Sequence, residues 1–188
     1  DTGNAGNDNI AIGYGALADN ATNNNIAIGS YAMIQHTTGT RNIAIGAEAL
    51  DASVGINDNV AIGYQAQTSN TGNGATANTG ASNIAIGSYA LKSLNSTSSG
   101  DSIDNVAIGY EAMKLSTSAY RNVAIGYRAF ELNQTQNNTV AVGWYALRES
   151  VSGGSNTALG HYTLTRTTTG ASNTAVGSAT LQYNTTGS

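Results

Sequence analysis

Cysteine and proline are absent from this 188-residue chain, and Trp and Phe occur once each. Without cysteine there is no disulfide framework and no thiolate metal site; the compartment stays open, because many surface and virion proteins also lack cysteine. Charge is scarce as well: 10% of the residues are Asp, Glu, Lys or Arg, where a globular domain carries about a quarter. The net charge of −4 comes from scattered residues, so there is no basic stripe for nucleic acid and no polybasic patch for a lipid surface. No apolar run approaches the roughly 18 residues that span a bilayer, so membrane insertion of this segment is not expected. His36 and His161 are the only histidines and lie far apart in the chain. That inventory supplies no His-rich metal cluster and no base beside a nucleophile. An enzyme is therefore not expected, and no cofactor is implied.

What the chain has instead is repetition. Its long Asn, Thr, Ser and Gly tracts suggest disorder by composition, but Ile/Val-Ala-Ile-Gly runs punctuate them too regularly for that. The motif Asn-(Ile/Val/Thr)-Ala-(Ile/Val/Leu)-Gly-x-x-(Ala/Thr)-(Leu/Met) recurs ten times. It starts at Asn9, Asn25, Asn42, Asn59, Asn83, Asn105, Asn122, Thr139, Asn156 and Asn173. The spacings of 16, 17, 17, 24, 22, 17, 17, 17 and 17 define a 17-residue period with insertions of 7 and 5 residues in the fourth and fifth units. Residues 1–188 thus read as a single repeat array. Its start at Asp1 and a last unit that stops mid-coil suggest a piece of a longer chain.

Each motif is short and β-branched, which suits a strand, and 17 residues are too few for two packed helices. The expected fold is all-β: a parallel β-solenoid of about ten coils, roughly 45 Å long at about 4.8 Å per coil. The alanine and the glycine never vary from unit to unit. An all-Ala row implies a closely approached surface; an all-Gly row implies a corner at positive φ or close backbone approach. The motif Asn either forms a ladder from coil to coil or simply favours a turn. Ile10 and Ile12 share one strand face and Ala11 the other. With Leu17 they make about three sizeable apolar side chains per coil, a thin core. Two apolar surfaces are implied, the Ile rows and the Ala row behind them. Lengthwise association of several chains would bury the second, and a trimer is the natural closed solution.

These Asn-x-Ala-Ile-Gly-x-x-Ala units resemble the head repeats of YadA-type trimeric autotransporter adhesins and similar repeats in phage tail fibres. The resemblance covers nearly the whole chain, although the adhesin repeat is shorter. It implies a left-handed β-roll trimerised along its axis, extracellular on a bacterial surface or a virion, and attaching to a host or cell surface. The alternative is a subunit of an extracellular filament built by end-to-end stacking of open coils.

Eight tyrosines follow the motif glycine closely, and Tyr110, Tyr127 and Trp144 are 17 residues apart. On a solenoid these three stack as an aromatic column, a candidate surface for a glycan or host receptor. The alternative role is a ladder that covers the turn or fills a chain–chain interface. The insertions, Thr68–Ser82 and Ser93–Asp104, are expected to protrude on one side as recognition loops or tolerated bulges. Asp101 and Asp104 form a weak Ca²⁺ candidate without EF-hand spacing. Glu111 with Arg128, and Asp104 with Arg121, occupy equal motif positions in successive coils and are expected to form ion pairs.

Overall fold

A computed structural model describes residues 6–19, 22–35, 38–52, 55–68, 80–94 and 102–187. Each motif forms one three-residue strand: β1 (Ile10–Ile12), β2 (Ile26–Ile28), β3 (Ile43–Ile45), β4 (Val60–Ile62), β5 (Ile84–Ile86), β6 (Val106–Ile108), β7 (Val123–Ile125), β8 (Val140–Val142), β9 (Thr157–Leu159) and β10 (Thr174–Val176). They stack in sequence order as one parallel ten-stranded sheet. The chain is an all-β solenoid. Alanine pairs with alanine at every step, including Ala61 with Ala85 and Ala85 with Ala107 across the two insertions. The extra residues therefore leave the register intact.

The glycine row serves both purposes anticipated for it. From Gly13 to Gly177 the motif glycines have φ between 119° and 137°, a region that L side chains seldom enter. At Gly126 an added Cβ would also sit 2.5 Å from the carbonyl oxygen of Gly143 in the next coil. Beyond the glycine, the second and fourth residues of the corner are left-handed even though they carry side chains: Arg128 has φ 50° and Phe130 φ 54°. Such residues cost about 1 kcal/mol or more apiece. Axial hydrogen bonds offset this. Arg128 N–H donates back to the Tyr110 carbonyl at 2.9 Å, and Phe130 N–H donates forward to the Ala146 carbonyl at 2.9 Å. The corner thus ties each coil to the one before it and the one after it.

The interior is lined differently from the sequence-based expectation. Of the three side chains Ile10, Ile12 and Leu17, only Leu17 is buried; Ile10 is 49% and Ile12 58% exposed. The Ala row, from Ala27 to Ala158, is fully buried inside the coil. It is the Ile/Val rows, not the Ala row, that a partner chain would have to cover. The reason is room: a 17-residue coil encloses a narrow lumen, and alanine is what fits behind the strand. The core is completed by the corner, through a second alanine row that includes Ala112, Ala129 and Ala146, and a row of larger residues that includes Met113, Phe130 and Leu147. Burying each of those larger side chains contributes roughly 1.5–3 kcal/mol.

The motif asparagines do form a ladder. Asn122 N–H donates to Asn105 Oδ1 at 3.1 Å, and Asn122 Nδ2 reaches the same oxygen at 3.2 Å. Asn122 Nδ2 also donates to the Gln136 carbonyl at 2.8 Å, so one amide joins neighbouring coils and closes its own. Thr139 interrupts the ladder, and its Oγ1 accepts the Asn156 N–H at a longer 3.4 Å. Full satisfaction of a buried amide is what makes such a polar row tolerable inside a thin core.

Candidate functional site

The corner after each glycine sets the next residue outward, and in six successive coils that corner is aromatic. Tyr110 and Tyr127 lie nearly parallel, with centroids 5.3 Å apart. Tyr127 is followed by Trp144 at 6.4 Å and by Tyr145 at 5.6 Å. Upstream, Tyr64 meets Tyr89 at 5.4 Å and Tyr89 meets Tyr110 at 5.9 Å. Downstream, Trp144 and Tyr145 contact Tyr162 at 5.2 and 5.4 Å. The column of Tyr110, Tyr127 and Trp144 is thus the middle of an unbroken track from Tyr64 to Tyr162. Tyr14 and Tyr31 form a separate pair, because the third coil has Ala47 and Glu48 at the corner. The three central residues are 40–47% exposed.

An ion-pair row runs beside the rings. Glu111 is buried and receives Lys114 Nζ and Arg128 Nε, each at 2.6 Å. Arg148 Nε lies 2.9 Å from Glu131, and Arg166 Nε 2.7 Å from Glu149. The cations also lie against the rings: Arg128 is 5.4 Å from the Tyr127 centroid and Arg148 4.9 Å from that of Tyr145. Asp104 and Arg121 approach only to 3.9 Å and are largely exposed, so their pairing contributes little.

Burial pushes the Glu111 carboxyl pKa up, but the hydrogen bond and charge of Lys114, together with Arg128, hold it below its usual 4.5. A depressed folded-state value means stability that is present above pH 4.5 and lost as the pH falls through that lower value. Glu111→Gln is therefore expected to lower the melting temperature at neutral pH and to flatten its decline on acidification. Thermal melts at about pH 7 and about pH 3 check this; an equal acid decline in both proteins would remove Glu111 as a contributor.

His36 and Asp101 lie outside the described residues, as do residues 69–79 and 95–101 of the two insertions. His161 stands at the end of the track, with its ring 5.8 Å from Tyr162 and its Nε2 3.0 Å from Ser178 Oγ. Among the described residues, no three His, Cys, Asp or Glu side chains gather where a metal could sit. No helix there is long and apolar enough to cross a membrane.

The other exposed feature is the outer sheet face, two in-register rows of mostly Ile and Val on either side of the buried alanine. Sequence reasoning placed these residues together on one face but did not place that face outside. No protein-family model, curated protein or solved structure matches the chain.

Proposed function

We propose that this chain is a structural and adhesive β-solenoid, displayed outside a bacterial cell or on a virion, that attaches its bearer to a host or cell surface. The observation that carries this reading is the unbroken aromatic track, its rings exposed or half-buried, along a regular rod. Such a track offers a long recognition surface and no chemistry of its own; on this reading the chain is not an enzyme. The adhesin-like motif units support the same reading.

The outer Ile/Val rows support a homo-oligomer, with the trimer of the resembling adhesins as the proposed state. Two part-exposed rows of mostly Ile and Val run in register along the ten strands, a contiguous apolar strip of the kind that marks a chain–chain contact. Light scattering coupled to size exclusion is expected to show a discrete trimer, with Ile108→Ser plus Ile125→Ser reducing it to folded monomers. A lone wild-type monomer would remove the trimer; a concentration-dependent series of large polymers would instead favour the filament. Attachment itself predicts saturable binding of labelled chain to cells, weakened about tenfold by Tyr127→Ala with Trp144→Ala, as for the loss of aromatic anchors at other interfaces. Unchanged binding would take the track out of the attachment mechanism.

A further inference from the structure

We infer that the track from Tyr64 to Tyr162 binds a neutral, extended glycan of equatorially linked pyranoses, lying parallel to the solenoid axis with about one sugar per coil. The inference rests on the attachment reading and names the class of ligand that the attachment surface takes.

Spacing is the first reason. Parallel in-register strands repeat at about 4.8 Å, which is close to the length of one pyranose residue in an extended β-1,4-linked chain. Each coil from that of Tyr64 to that of Tyr162 contributes at least one ring, and neighbouring centroids stay within 5.2–6.4 Å. A straight ligand with that repeat meets a ring in every coil, although the ring planes turn along the track, from 13° between Tyr110 and Tyr127 to 87° between Tyr89 and Tyr110. A glycan that coils, as an α-1,4-linked chain does, leaves the track after a few sugars.

Chemistry is the second. Pyranoses of this kind carry apolar C–H faces and a rim of equatorial hydroxyls, and the track pairs an aromatic surface with a polar row along one edge. Gln65 Nε2 reaches the Tyr64 hydroxyl at 3.2 Å and Glu48 at 2.5 Å, so amide, carboxylate and phenol groups line that edge together.

Charge is the third reason: it disfavours polyanions from the sixth coil onward, while in the fifth coil Lys92 lies 4.8 Å from the Tyr89 ring centroid. Beside the track in the sixth to ninth coils, Lys114, Arg128, Arg148 and Arg166 are each held by Glu111, Glu131 or Glu149. A sulfated or sialylated glycan needs cations free to meet it, and displacing these would strand a buried Glu111 carboxylate. A neutral chain can accept and donate hydrogen bonds along the row without disturbing it.

Trp144 is the only tryptophan and lies in the track, so intrinsic fluorescence reads occupancy directly. Titration of the intact chain with cellohexaose is expected to give a saturable change, with at least about tenfold tighter binding than cellotriose because more rings are engaged. Maltohexaose, of the same composition but coiled, is expected to bind at least about tenfold more weakly than cellohexaose. Tyr110→Ala and Tyr127→Ala are each expected to weaken cellohexaose about tenfold, in the range for loss of one aromatic stacking partner, with circular dichroism and native mass unchanged. The inference is overturned if cellohexaose gives no response, if maltohexaose binds as well, or if these variants bind normally. It is equally overturned if Tyr127→Ala changes the native mass, since the rings would then belong to a chain–chain contact. Saturable cell attachment without any cellohexaose response would reject this ligand class and leave the attachment reading standing. Cellohexaose binding without attachment would do the reverse.

Discussion

Gly126→Ala is expected to lower the unfolding free energy by at least about 3 kcal/mol, read as a large fall in the urea midpoint. Two costs add. At φ 133° the residue lies where a side chain is strained, a penalty of about 1–3 kcal/mol. The new methyl would also meet the Gly143 carbonyl oxygen at 2.5 Å and its carbon at 2.7 Å. That obstacle is backbone, held by the stacking itself, so relief requires neighbouring coils to separate. Because stability in a stacked array is a sum of unit and interface terms, a break in the seventh coil weakens both halves and broadens the transition. A loss below about 1 kcal/mol would mean that the corner can relax and that stacking at the glycine is not tight.

Leu147→Ile gives the second large effect, and it separates backbone from volume. Leu147 is fully buried at φ 50°. Exchanging Leu for Ile in an ordinary core usually costs less than about 1.5 kcal/mol. A β-branched residue, however, is a genuine outlier in the left-handed region, because its second γ-branch crowds the adjacent carbonyl. The expected loss is about 2–4 kcal/mol, while Leu147→Met, which keeps an unbranched Cβ, loses under about 1.5 kcal/mol. Met33 and Met113 already occupy that position at φ 54° and 50°. Chemical denaturation of the two variants side by side decides it: equal losses would assign the effect to packing alone.

The left-handed corner was legible in the chain, though by an omission easily overlooked. Ile, Val and Thr abound, yet none occupies the residue before the motif Asn, or the second or fourth residue after the glycine. Those are the positions at positive φ, exemplified by Arg121, Arg128 and Phe130. A pattern search for hydrophobic residues does not detect where β-branching is avoided. The aromatic column was visible because its members recur at the coil period. Tyr89, Tyr145 and Tyr162 occupy the neighbouring corner position, and only the folded corner brings both positions onto one track.

By itself, the sequence determined the repeat, the strand in each coil, the parallel register and the glycine corner, because these follow from the constant spacing between units and from backbone sterics within each. Inside and outside were decided only by the tertiary structure. Alternation along a strand says that Ile12 and Ala11 face opposite ways, not which way is in. That depends on how much space a closed coil leaves directly behind the strand: alanine and an asparagine ladder fit there, the larger core residues such as Phe130 and Leu147 come from the corner, and the Ile and Val rows stay outside. The same closure turned tyrosines at two corner positions into one continuous surface. Separate coils become neighbours only when they stack, and no single unit contains that information.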